Sequence, residues 1–194
     1  MKLKSGNKDL DDEELLQLLN RAKFNDSRAV GKLCVHFYSK IYRFVYYRVN
    51  AVEDAEDLTS EVCLRVVKSI HEQKGSFYAW IFRIASNMIT DHYRRRVVRS
   101  NVESVGESIE EMVDAGSRQS ELIEQQELRQ ALRRLTEEQQ EVIVLKFIEG
   151  YETDEIAGML GKSAGAVRAI QFRALTALRN MSDMEKFIEE DRKI

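Results

Sequence analysis

Apolar residues recur along most of this chain at steps of three and four, the period of helices with one buried stripe. Leu15, Leu16 and Leu19 predict an amphipathic helix over Asp11–Lys23, with acids at its start and cations at its end. Asn25-Asp26-Ser27 reads as a turn and cap. From Ser27 to about Asn50 the pattern predicts one long helix or two abutting ones, with Val35, Tyr38, Ile41, Tyr42 and Val45 at core spacing. Leu58, Val62, Val66 and Ile70 mark the buried stripe of a helix that opens at Asp54 as N-cap, with Asp57 three residues on. After a break at His71–Gly75, a wide stripe of Phe77, Trp80, Ile81, Ile84, Ala85, Met88 and Ile89 predicts a second helix. Downstream, Leu122, Ile123, Leu128 and Leu132 place a helix over Glu121–Arg134. Thr136 in Thr-Glu-Glu-Gln predicts a capping box for a helix that carries Val142, Ile143, Leu145 and Phe147 and stops at Gly150. A short helix (Ile156, Ala157, Leu160), a turn at Gly161-Lys162 and a helix capped by Ser163 (Val167, Ile170, Ala174, Leu178) have the layout of a helix-turn-helix.

The composition fits that pattern. There is no proline, there are only nine glycines, and no strong alternating run is present, so the expected fold is all-α. From about Val97 to Glu127 the chain sets two arginines against eight acids, and glycines and serines interrupt the period. We therefore expect two small helical domains, residues 1–97 and 120–194, joined by an acidic flexible linker over 98–119. The polar N-terminus has no apolar segment of a signal peptide, and no run reaches the roughly 18 apolar residues of a membrane span. These features predict a cytoplasmic protein without membrane insertion. Cys34 and Cys63 sit in apolar stretches and read as structural thiols, and His36, His71 and His92 lack metal-ligand spacing. No metal, cofactor or catalytic residue is expected. Gly161-Lys162-Ser163 echoes a phosphate-binding loop, but Ile156 stands where that loop needs glycine, and a helix precedes it in place of a strand.

Charge is where chemistry enters. The net charge of −3 means that any nucleic-acid surface is local. Asp57, Ser60, Glu61, Leu64, Arg65 and Lys68 share one face of the helix after Asp54. On the next helix Arg83, Asn87, Asp91, Arg94 and Arg95 follow at steps of mostly four. From Trp80 to Arg99 five arginines face a single acid. Three consecutive arginines exceed what the helix dipole asks for, and their forks match phosphate oxygens. Ile156 to Met181 contains no acid but has Lys162, Arg168, Arg173 and Arg179. A helix in the major groove needs arginine for base edges and no carboxylate toward the phosphates. The aromatic run of Ser27–Asn50, with Lys40, Arg43 and Arg48 between the rings, reads as core packing in preference to base stacking.

These stretches resemble one family. Asp-Ala-Glu-Asp-Leu-Thr-x-Glu at Asp54–Glu61, Phe-Tyr-Ala-Trp-Ile-Phe-Arg-Ile-Ala at Phe77–Ala85, then Asn87, Asp91 and Arg94–Arg96 resemble region 2 of bacterial sigma factors of the extracytoplasmic-function (ECF) type. Glu137–Arg179 is similar to region 4 of the same family, through Glu-Glu-Gln-Gln-Glu-Val-Ile-Val-Leu-Lys-Phe, Asp-Glu-Ile-Ala-x-x-Leu-Gly and Ala-Gly-Ala-Val-Arg. Ser60, Cys63, Thr136 and Ala166 depart from the usual pattern. The resemblance implies a non-enzymatic protein that binds core RNA polymerase and directs it to promoters. It implies that Asp57, Ser60 and Glu61 dock on the clamp helices of the largest polymerase subunit. It implies −10 contacts from Lys74, Ser76, Phe77, Tyr78, Asn87, Arg94 and Arg95, and −35 contacts from Lys162, Ser163, Arg168, Phe172 and Arg173. It implies a linker threaded through the polymerase, and family members commonly have an anti-sigma partner. The alternative is a stand-alone helix-turn-helix regulator, which leaves Asp54–Glu61 without a role.

Overall fold

Asp11, just ahead of the first leucines, accepts a hydrogen bond from the Glu14 amide at 2.7 Å and starts α1 (Asp12–Lys23). The computed structural model describes residues 10–100 and 119–191 and shows helices and turns but no strand among them. The predicted linker falls largely on residues 101–118, outside the described residues. The chain divides into two compact units, Met1–Met88 and Ile89–Ile194.

In the first unit, Asp26 caps α2 (Ser27–Tyr46) by accepting from the Arg28 and Ala29 amides. The Arg21 guanidinium, 2.6 Å away, holds the Asp26 carboxyl below its ordinary range. α3 (Val52–Ser69) packs on α2 and ends in a 3-10 turn at Ile70–Glu72. α4 (Phe77–Ser100) begins in the same unit and continues into the second. The core is Leu33, Phe37, Ile41, Phe44 and Val45 from α2, Leu58, Val62 and Val66 from α3, and Phe77, Ile81, Phe82 and Ala85 from α4. Phe44 meets Phe82 at 4.9 Å between ring centroids, and Phe37 meets Phe77 at 5.8 Å.

Several expectations are corrected here. Leu16 is exposed and Leu18 is buried in its place. α2 stops at Tyr46; Ile41 and Val45 are buried as its spacing predicts, but the rest of the stripe is not. Val35 is 67% exposed and Tyr38 is exposed, because Phe37 and Phe44 take the inner positions against α4. Tyr38, Tyr42 and Tyr46 instead stack on one another along α2, Tyr38 exposed and the other two half-buried. Arg48, which lay among those rings in the sequence, is buried. Its Nη1 donates to Ser86 Oγ at 2.9 Å and its guanidinium lies over Phe44. The N-cap of α3 is Ala51 with no side-chain cap bond, so Asp54 lies in the first turn. α4 extends to Ser100, so residues 98–100 are helix where the linker was expected to begin.

Cys34 and Cys63 are free, half-buried thiols on α2 and α3. Burial, with the neighbouring Cys34 adding to it, pushes the Cys63 thiol up to about 11 from an ordinary 9.0. A group raised in the folded state holds its proton there after the unfolded chain has lost it. Its stability contribution is complete below about pH 9 and is lost as pH rises toward 11. We expect urea midpoints to fall between pH 9 and 11, and Cys63→Ser to flatten that fall. Superimposable pH curves for the two proteins would contradict this.

The second unit carries α5 (Gln119–Arg133), α6 (Glu137–Ile143), a π-helical turn at Val144–Ile148, α7 (Thr153–Leu160) and α8 (Ala164–Asp191). The Thr136 capping box forms as expected, with Gln139 reaching back to the Thr136 amide at 3.1 Å. α6 and α7 pack on α8, burying Val142, Leu145, Ile156, Val167, Ile170 and Ala174. On α5, Leu132 is buried but Leu128 is exposed, and Arg129 takes an inward place.

Candidate nucleic-acid interface

The stripe that buries Leu58, Val62 and Val66 turns the opposite side of α3 to solvent. Asp57, Ser60, Glu61, Leu64, Arg65 and Lys68 are all exposed there. Ser60 Oγ donates to the Glu56 carbonyl at 2.9 Å, so its hydroxyl is turned back onto its own helix. Asp57 and Glu61 project one turn apart beside the exposed side chain of Leu64. This face offers carboxylates around an apolar centre and suits a partner helix or groove with cations.

The break between α3 and α4 is a built loop. Gln73 is buried, and its Nε2 donates to the Gly75 carbonyl at 2.7 Å. Gly75 has φ +71°, a conformation that favours glycine, and the turn leaves Lys74 and Ser76 exposed. Ser76 Oγ accepts from the Ala79 amide at 3.3 Å and helps to start α4. Phe77, one of the −10 contacts that the resemblance implied, is only 4% exposed and belongs to the core, so its ring is not presented at the surface. Tyr78 is half-buried, with its hydroxyl 2.6 Å from His36 Nε2 and its ring under Lys40 Nζ at 5.1 Å. Spacing gave no sign of those two α2 residues. Their i, i+4 register was legible, but their partner Tyr78 stands 42 residues beyond His36, on another helix. Trp80 is half-buried on the inner side. Further along α4, Asn87, Asp91, Arg94 and Arg95 are exposed; Arg94 lies 3.6 Å from the Asp91 carboxylate and Arg95 Nε donates to the Asp91 carbonyl.

In the second unit Gly161 ends α7 in the left-handed region (φ +64°), and the Lys162 amide donates back to the Ala157 carbonyl. Ser163 Oγ accepts from the Ala166 amide at 3.1 Å and caps α8. Arg168, Ala169, Phe172 and Arg173 are exposed on α8, with Phe172 at 72%. Arg173 Nε donates to the Ala169 carbonyl. Lys162 Nζ is 2.6 Å from Glu138 Oε1, a contact across 24 residues that spacing did not foretell. Lys162 thus reaches a phosphate only by leaving, or sharing, a carboxylate. A side chain at position 161 is strained whatever space surrounds it. Gly161→Ala is therefore expected to cost about 1–2 kcal/mol of stability, read from urea unfolding, and an unchanged midpoint would contradict the αL turn.

Two family models match this chain, one in each half. The Sigma-70 region 2 family model matches residues 33–98, and the Sigma-70 region 4 model matches residues 131–180. The chain is similar to the ECF RNA polymerase sigma factor BldN of Streptomyces coelicolor, 34% identical over 179 residues, covering 89% of this chain and 67% of that protein. It is also similar to the ECF RNA polymerase sigma factor ShbA of Streptomyces griseus, 31% identical over 179 residues, covering 86% and 94%. In fold it is similar to CnrH, solved in complex with the cytosolic domain of CnrY, with a TM-score of 0.68 at 24% identity over 87% of this chain and 96% of that one. It is likewise similar to RpoE of Bartonella quintana, solved with the anti-sigma factor NepR, with a TM-score of 0.64 at 20% identity over 79% and 96%.

Proposed function

The chain belongs to the ECF sigma factors of the sigma-70 superfamily, which bind core RNA polymerase and direct promoter-specific initiation, and from that premise we propose how its surfaces divide the work. The domain limits we assign follow the expected 1–97 and 120–194 with α4 and α5 completed, so that the acidic segment 101–118 joins them. The exposed acidic face of α3, with Asp57 and Glu61 at its centre, docks on the clamp helices of the largest polymerase subunit. Ser60 lies within that footprint and adds little through its hydroxyl, which is engaged with Glu56.

The loop before α4 and the start of that helix take the −10 element. Lys74 and Ser76 meet phosphates, Tyr78 takes an unpaired base, and Asn87, Arg94 and Arg95 meet the adjacent DNA. Phe77 supports that loop from the core. The exposed face of α8 enters the major groove at the −35 element. Arg168 and Arg173 read base edges or phosphates there, Phe172 makes apolar contact, and Lys162 and Ser163 stand near the backbone. The observation that carries this assignment is that the first part of α8, residues 164–181, contains no acid and exposes Arg168, Phe172 and Arg173 away from buried Val167, Ile170 and Ala174.

Two modest DNA contacts on one tethered chain reinforce each other, because the second becomes intramolecular once the first has formed. An anti-sigma partner is a further proposal, supported by the solved RpoE being bound to the anti-sigma factor NepR. A mobility-shift comparison on promoter duplex tests the division of work. We expect a shift with holoenzyme and little with the free chain at physiological salt. An equal shift by the free chain would favour the stand-alone regulator.

A further inference from the structure

Tyr78 is held from three sides. Its hydroxyl is 2.6 Å from His36 Nε2, Lys40 Nζ lies over its ring at 5.1 Å, and the Phe77 ring packs beside it at 5.9 Å. His36 and Lys40 stand one turn apart on α2, so a single helix face supplies both contacts. His36 is 5% exposed, and a buried imidazole requires a hydrogen-bond partner. Here that partner is the half-exposed ring at the mouth of the loop before α4. A tyrosine with its hydroxyl and one ring face engaged has lost its rotamer freedom before any ligand arrives, which lowers the cost of stacking on what remains. The ammonium over one ring face adds a cation to a surface whose remaining face would stack a base, the combination that single-strand binding uses.

We infer that the −10 surface extends onto α2: His36 is a positioning residue that fixes Tyr78 as a platform for an unpaired base, and Lys40 supplies a cation to that nucleotide's phosphate. This inference rests on the reading of Tyr78 as a −10 contact.

The test uses holoenzyme assembled from the full chain and core polymerase. The probe is single-stranded DNA selected by that holoenzyme from a randomised pool, and its affinity is measured across a range of salt. Tyr78→Ala is expected to weaken binding about five- to 150-fold, the range for losing one stacked base. Tyr78→Phe and His36→Phe should each weaken it about fivefold, the worth of one hydrogen bond, and the double variant should be no worse than either alone. His36→Gln, which keeps hydrogen-bonding atoms, should recover part of the loss. Lys40→Met should lower the slope of log affinity against log salt by about 0.7, the value for one phosphate contact on a single strand. Affinity for core polymerase should not change in any of these variants.

If Tyr78→Ala weakens binding while Tyr78→Phe, His36→Phe and Lys40→Met match the parent, the platform is overturned and the −10 reading stands. If Tyr78→Ala itself binds normally, the −10 reading of Tyr78 falls with it. Should His36→Phe fail to fold, Tyr78→Phe removes the same hydrogen bond by deleting one oxygen and decides the question alone.

Discussion

Glu61→Lys is expected to weaken binding to core RNA polymerase about a hundredfold or more while the helical fold and its melting temperature stay as they were. Glu61 is exposed on α3, on the side away from Leu58, Val62 and Val66, so the new side chain disturbs no core contact. The charge lies one turn beyond Asp57 and beside exposed Leu64, at the centre of the face assigned to the clamp helices. Reversing it replaces an attraction to a cationic partner with a like-charge contact, which costs several kcal/mol in a desolvated interface. Co-purification and direct titration with core enzyme give the readout. Circular dichroism and thermal melting control for the fold. Unchanged co-purification would remove this face from the polymerase interface.

Arg168→Ala is expected to lose about 1–3 kcal/mol of discrimination at one base pair of the −35 element, and to relax preference there without abolishing binding. Arg168 lies in the second turn of α8, exposed, with Gly165 and Ala169 also on the surface, so little bulk holds the helix off the DNA. Arginine reads guanine by a two-pronged hydrogen bond that alanine cannot replace. Lys162→Met should behave differently. Loss of a phosphate contact lowers affinity evenly across sequences, and the Glu138 partner of Lys162 reduces what the lysine contributes. Competition among −35 duplexes of varied sequence separates the two patterns. An unaltered ranking of duplexes with Arg168→Ala would contradict its place at a base edge.

The helix-turn-helix was legible because its signals are local. Gly161 takes the αL turn, Ser163 caps α8, and Val167, Ile170 and Ala174 keep the helix period, all within a few residues of one another. The stripe of α3 was legible for the same reason. Its N-cap was not, because acids anywhere in a first turn favour the helix dipole and so mark the end of a helix without marking the capping residue.

The core face of α2 needed information from further away. Tyr38 and Tyr42 are amphipathic and fit either side of a helix, and only the Phe44–Phe82 and Phe37–Phe77 contacts with α4 decide which side turns in. Phe77 posed a related conflict, since it belonged both to an apolar stripe and to a motif that binds bases. Its place in the 77, 81, 85, 89 register buries it. Lys162 stands at the turn, half-buried, and its ion pair with Glu138 joins residues that no periodicity connects.

The most direct measurement is run-off transcription by core RNA polymerase, with and without this chain, on a library of promoter fragments. The account predicts that the chain co-purifies with core enzyme and directs initiation to a subset of fragments sharing −10 and −35 sequences, which core enzyme alone does not use. A chain that fails to join core polymerase, or joins it and leaves the start sites where core enzyme alone puts them, would contradict the account.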